Sequence, residues 1–247
     1  MSAEAEVVLV PQGSVSQPTL EKLCKRFRAA RLRALREYPS AFSSTYETES
    51  LFEDEVWLKR LQNPDSKTFV AICPFPSLDI DESTGNNDDT ELKLIENEWI
   101  GMIVVLGPKV LAAESLGSVA CWKAFTAPRQ SSPTASEVEN KEVGDFAVSM
   151  FVLPEMRGQG LGGKLIEASL NLVRREAASF KASRANVSLC VEAENHAAIK
   201  CYERCGFEFL PDDPTLEEFT TIHGAKVVGM CRTLELPSGS SSFESDN

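Results

Sequence analysis

Arg157 is followed by Gly158, Gly160, Gly162 and Gly163, and the run sits between an apolar stretch, Val148 to Leu153, and the start of a helical pattern. These residue types at that spacing suit the capture of an anion. A helix start leaves its first backbone N–H groups without intrahelical partners, and the aligned peptide dipoles place about +0.5 charge there. Glycine carries no side chain to block a ligand, and it takes the positive φ values that aim successive N–H groups at one point. The main-chain amides of Gly158, Gln159, Gly160, Leu161, Gly162 and Gly163 are therefore candidate phosphate donors. Arg157 adds a fixed charge with a donor fork matched to phosphate oxygens.

Several phosphate-binding patterns compete for this segment. Gly158 to Lys164 nearly satisfies the P-loop spacing, but Leu165 stands where Ser or Thr should hold Mg²⁺. Gly158, Gly160 and Gly163 also satisfy the dinucleotide fingerprint, with Glu192 and Glu194 after the next strand to meet a ribose. In that fingerprint the strand turns straight into glycine, whereas here Pro154 to Arg157 intervene. The chain after the motif is also too short for the repeated βαβ units of a doubly wound sheet.

A third pattern fits better. Arg157, Gly160 and Gly162 match, in register, the Arg/Gln-x-x-Gly-x-Gly/Ala motif, and Asn195, Ala198, Tyr202, Gly206 and Phe207 match N-x-x-A-x-x-x-Y-x-x-x-G-F. In this order, separated by a helix and a strand, the two motifs resemble the cofactor site of the GNAT superfamily of acyl-CoA N-acyltransferases.

The resemblance implies an α+β fold: a mixed, strongly twisted central sheet flanked by helices, with two central strands that splay apart around acetyl-CoA. It implies that the backbone of Met150, Phe151 and Val152 pairs with the pantetheine amides, that residues 158–163 take the pyrophosphate, and that Asn195 reaches the pantetheine arm. Tyr202 corresponds to the tyrosine that protonates the leaving sulfur, and a main-chain N–H near Val152 is the oxyanion donor. Glu192, at the end of the second splayed strand, is the candidate base. The implied reaction moves an acetyl group to the primary amine of a small molecule and releases CoA. Cys190 stands where family members that acetylate protein N-termini often carry Glu, which argues against that acceptor class. Two other readings are a non-catalytic acyl-CoA-binding module and a dinucleotide-binding protein.

Both motif helices also have structural explanations. Asn195 is placed as an N-cap and Gly206 as a helix stop, and Tyr202 with Ala198 and Cys205 forms one apolar face. Leu161, Leu165, Ala168 and Leu172 form a core-facing stripe after the glycines.

The elements that must hold this site follow from periodicity. Strands are expected over 4–10, 68–73, 99–106, 118–125, 145–153, near Val187 to Val191, and over 226–236. Helices are expected over 18–37 and 53–61. On the first helix Leu23, Phe27, Ala30 and Ala34 mark the buried face. Its basic residues, Lys22, Lys25, Arg26, Arg28, Arg31, Arg33 and Arg36, read as a solvated face. The loop after it offers Phe42 and Tyr46 for an apolar slot, with Glu47 or Glu49 to draw an ammonium. Segments 74–96 and 126–143 read as flexible insertions in a single domain over 1–236, and 237–247 as a disordered tail.

At 247 residues and 43% hydrophobic, the chain can bury one sizeable core. A net charge of −12 argues against a nucleic-acid partner. Seven cysteines without C-x-x-C read as reduced thiols, and no targeting signal or apolar membrane span is visible, so a cytoplasmic or nuclear location is expected. Two histidines without a ligand pattern make no metal site.

Overall fold

The computed structural model describes residues 4–13, 15–73, 87–111, 133–210 and 224–236. Runs rich in β-branched and aromatic residues form seven strands among the described residues: β1 (Glu6–Leu9), β2 (Ser66–Ile72), β3 (Trp99–Val110), β4 (Glu142–Val152), β5 (Arg184–Glu192), β6 (Glu208–Phe209) and β7 (Val227–Leu234). Their spatial order is β1-β2-β3-β4-β5-β7-β6. Every neighbouring pair is antiparallel except β4 and β5, which run parallel. A single parallel pair is incompatible with a doubly wound dinucleotide fold.

The helices α1 (Gln17–Glu37), α3 (Asp54–Leu61) and α4 (Asn87–Glu96) share one core with the sheet. Its members include Leu23, Phe27, Trp57, Leu94 and Met102. The other face is covered by α6 (Leu161–Ser179) and α7 (His196–Arg204), with Leu165, Ile166, Leu170 and Tyr202 against Ile103, Val105 and Leu189. Both faces are thus dry, which is why every residue of β2 is buried. Short helices α2 (Tyr46–Ser50) and α5 (Ala135–Val138) complete the described elements.

Several expectations need correction. Residues 87–96 form a helix with Leu94 fully buried, so that part of the 74–96 segment is a core element and not a flexible loop. Within 126–143, a capping box from Thr134 and Glu137 starts α5, Val138 is fully buried, and β4 already begins at Glu142. The strand expected over 118–125 and the tail over 237–247 lie outside the described residues. The stripe of α6 is rotated: Leu165, Ile166, Ser169, Leu170, Val173 and Ala177 face inward, while Ala168 and Leu172 lie on its flank.

On α1 one basic residue is not on the solvated face. Arg31 is buried on the same stripe as Leu23, Phe27 and Ala34.

Candidate functional site

The site begins where β4 and β5 part. Their parallel register runs from Glu142–Arg184 to Ala147–Leu189 and stops there. Beyond it β5 stays paired to β7 through Cys190, Val191 and Glu192, and β4 stays paired to β3 through Phe151 and Val152. The facing edges of Val148–Val152 and Cys190–Glu192 therefore diverge, as the splay requires.

A bulge drives β4 away. Val104 faces Val148 and Met102 faces Phe151, so β4 takes three steps where β3 takes two. Ser149 absorbs the extra residue at φ +56°, a left-handed conformation unusual for a side chain other than glycine. It is held from outside the strand: Arg31 Nη1 donates to Ser149 Oγ over 3.3 Å. Arg31 is itself fixed by Glu49, through Nε to Oε2 at 3.1 Å and Nη2 to Oε1 at 2.8 Å.

At the end of β4 a 3₁₀ turn, Pro154–Met156, leads to Arg157 and the glycines. Gly158 and Gly160 adopt φ +77° and +78°, a left-handed conformation that favours glycine, and Cβ atoms built there or at Gly163 would stand in open space. The first intrahelical bond of α6 is donated by Lys164 to the Gly160 carbonyl, so the amides of Leu161, Gly162 and Gly163 head the helix. This open cradle fits a diphosphate. Gly162 serves packing as well, since its Cβ would lie 3.2 Å from Cys201 Sγ and 3.3 Å from Met150 Cε. That close approach brings α7 against the glycine turn.

Of the expected residues, Glu192 lines a cavity beside the splay, whereas Arg157, Asn195 and Tyr202 are not among its lining residues. Arg157 Nε donates to the Val152 carbonyl at 3.0 Å and its guanidinium lies 4.1 Å from the Tyr38 ring centroid, so Nη1 and Nη2 are the atoms placed to meet an anion. Phe151 and Leu161 bury their side chains and offer only backbone, whereas Gln159 is exposed. Asn195 caps α7, its Oδ1 accepting from the Ala198 amide at 3.1 Å, which leaves Nδ2 as its donor. Tyr202 is buried beside Phe207, ring centroids 5.8 Å apart. Burial, reinforced by Cys201 and Cys205, pushes its phenol far up, so the hydroxyl keeps its proton.

A cavity of about 430 Å³ adjoins the splay. It is lined by Arg31, Phe42, Glu49 and Arg60 on one side and by Ser149, Cys190 and Glu192 on the other. Burial pushes the Cys190 thiol up to about 11, so it is a neutral thiol and no ready nucleophile. Two sequence expectations fail here. Glu49 is not free to draw an ammonium, because Arg31 and Arg60 both hold it; Arg60 Nη1 reaches Oε2 at 2.8 Å. Burial alone would raise its carboxyl, but the bonds and charges of Arg31, with Arg60 and Ser44, outweigh that and keep it below the usual range. Tyr46 stacks under Arg36, 4.4 Å from the ring centroid, and does not line the cavity, while Glu47 is exposed.

Arg31, Arg60 and Ser149 were not legible as site residues, and Glu49 was legible only in the role of an ammonium partner. One signal existed: Arg31 continues the i, i+4 stripe of Leu23 and Phe27, and a charge on a buried stripe demands a partner. The P-loop reading fails because Leu165 is fully buried in the core and cannot serve a metal. Among the described residues no group of three or more His, Cys, Asp or Glu could hold a metal ion, and no helix is long and apolar enough to cross a membrane.

Residues 92–207 match the family model described as the acetyltransferase (GNAT) family. An uncharacterised N-acetyltransferase of Methanocaldococcus jannaschii is 37% identical over 73 residues, 30% of this chain and 29% of that protein, so the match spans less than a third of the relative's length. Among solved structures, Arabidopsis thaliana NAA60 in complex with a bisubstrate analogue is 14% identical, covering 93% of this chain and 100% of that one, with a TM-score of 0.49. Spermidine N-acetyltransferase from Vibrio cholerae in complex with CoA and spermine is also 14% identical, covering 92% of this chain and 95% of that one, with a TM-score of 0.45.

Proposed function

From a segment, residues 92–207, that belongs to the GNAT acetyltransferase family, we propose that this chain is an acetyl-CoA-dependent N-acetyltransferase acting on the primary amine of a small molecule. The observation that carries the reading is convergence. The β4 edge left unpaired beyond Ala147 borders, through Val148 and Ser149, a cavity large enough for a small acceptor, and the same strand leads through Met150, whose Cε lies 3.3 Å from a Cβ built at Gly162, to the open glycine cradle. At about 430 Å³ the cavity falls within the roughly 300–1,000 Å³ typical of small-molecule sites.

Bound in the splay, acetyl-CoA supplies a thioester whose carbon–sulfur bond breaks as a carbon–nitrogen bond to the amine forms, yielding an amide and CoA. The protein's groups divide the remaining work. Main-chain amides of 158–163, with Arg157, hold the diphosphate, and Met150 to Val152 orient the pantetheine arm by strand addition. Asn195 Nδ2 donates to that arm from the opposite side. The bulge at Ser149 turns a β4 amide near Val152 toward the developing oxyanion, where a fixed dipole needs no reorganisation. Glu192 lines the cavity and accepts a proton from the incoming ammonium, directly or through water, before attack. Tyr202, kept protonated by burial, donates to the leaving sulfur.

The test is thiol release from acetyl-CoA across a panel of small amines. Amine-dependent release with acetylated product supports the reading. CoA binding without release from any amine would leave a non-catalytic acyl-CoA-binding module, and stabilisation by NAD(P) but not CoA would point to the dinucleotide reading.

A further inference from the structure

The cavity carries a charge pattern that acetyl transfer by itself does not require. On its α-helical side, two guanidiniums face one carboxylate. Arg31 commits Nε and Nη2 to Glu49 and Nη1 to Ser149, so each of its three nitrogens already has a partner. Arg60 gives Glu49 only Nη1. Its guanidinium lies 4.7 Å from the Phe52 ring centroid and 5.3 Å from that of Trp57, so it is held in place while its side chain remains 39% exposed. Because Glu49 stays ionised, the trio keeps one net positive charge, and the fork left free of Glu49 is the Nε and Nη2 edge of Arg60.

The opposite wall carries the opposite sign. Glu192 lines the same cavity from the end of β5. Arg60 belongs to α3, which packs on β2, and β2 lies three strands from β5 in the sheet, a separation of roughly 14 Å at about 4.8 Å per paired strand that widens at Glu192, where β4 and β5 have parted. With both side chains reaching inward, the cavity is a dipole: cationic over β2, anionic at the splay, apolar between through Phe27, Phe42 and Val104.

We propose that the acceptor is an amino-carboxylate, its amine directed toward Glu192 and the open edge of β4 and its carboxylate seated on the free donors of Arg60. This rests on the acetyl-transfer reading and specifies its substrate class. A dication such as a polyamine would place its second ammonium against Arg60, which works against binding. A guanidinium with a free fork instead recognises a carboxylate through two parallel bonds.

The test compares acceptors that share an amine and differ at the far end: lysine or ornithine, the corresponding carboxamides, and the decarboxylated diamines. The expected order of kcat/KM is amino acid above amide above diamine, with at least tenfold between the first two, expressed in KM. Arg60→Gln is expected to collapse that ratio toward one, and Arg60→Lys to restore part of it by returning the charge; melting temperatures confirm that both variants fold. Titration calorimetry of the same acceptors, with and without CoA, reads the carboxylate preference independently of turnover. Amides or diamines that bind or react as well as the amino acids would overturn the proposal, as would a preference that survives Arg60→Gln. Loss of CoA binding with the carboxylate preference intact would instead overturn only the acetyl-transfer reading.

Discussion

Two carboxylates, Glu49 and Asp145, are equally buried, each 1% exposed, yet their environments push them in opposite directions. Glu49 receives Arg31 twice and Arg60 once, and is held below the usual carboxylate range. Asp145 lies on the closed part of the β4–β5 seam, opposite Val187, and its Oδ1 has no hydrogen-bond partner among the described residues. Lys67 is close but committed elsewhere, donating to the Gly107 carbonyl and pairing with Glu176 Oε2 at 3.0 Å. Burial therefore dominates and pushes Asp145 up to about 7, with Lys67 opposing and Glu176 reinforcing it. Gly107 is tied to this arrangement, since a Cβ there would meet Asp145 Oδ1 at 2.4 Å. The lesson is that partners, not depth, set the charge state. The chain keeps its ionised carboxylate on the cavity, and neutralises its neighbour on the closed seam near neutral pH.

The sharpest way to break this contrast is to remove the partner of the charged member. Arg31→Met strands Glu49 with Arg60 alone and frees Ser149, so unfolding in urea should show a loss of about 3–5 kcal/mol, the usual cost of breaking a buried pair. Acetyl transfer should fall further than stability explains, because the β4 bulge loses its tether.

Asp145→Asn tests the other member. Its carboxyl titrates higher in the folded chain than its ordinary 3.8, so its contribution favours folding below about pH 4 and is lost as pH rises through about 7. The wild type should lose on the order of 4 kcal/mol of stability across that window from this group. The Asn variant should lack this slope and unfold at higher denaturant at pH 8. An unchanged slope would show that Asp145 is ionised throughout.

Smaller effects separate binding from chemistry. Gly160→Ala forces a side chain to φ +78°, costing about 1–2 kcal/mol, and should raise KM for acetyl-CoA more than it lowers kcat. Tyr202→Phe keeps the packing against Phe207 but removes the proton donor, so kcat should drop about tenfold, ~1.4 kcal/mol, with little change in melting temperature. An unaltered kcat would reduce Tyr202 to a core residue.

The glycine turn and the cap of α7 were legible because glycine spacing and helix-start chemistry are local. Gly158, Gly160 and Asn195 take the conformations their neighbours in sequence dictate. The acceptor half was not, because it is assembled from contacts such as Arg31 to Ser149, 118 positions apart. The surface reading of α1 failed at Arg31 for the same reason: its partner sits on α2, and only the fold brings the two together. Strand positions were largely set by alternation. Asp145 escaped notice because a single polar residue at the start of an apolar run reads as a strand end, whereas β4 begins three residues earlier. The 74–96 and 126–143 segments were misread where polar composition masked a buried anchor, Leu94 in one and Val138 in the other.

The most direct measurement is amide hydrogen exchange with and without CoA, and with NAD as the control. CoA, and not NAD, is expected to slow exchange at Leu161 to Gly163 and at Met150 to Val152, the two stretches proposed to hold the cofactor. Unchanged exchange at both stretches under saturating CoA, or equal protection by NAD, would contradict that proposal.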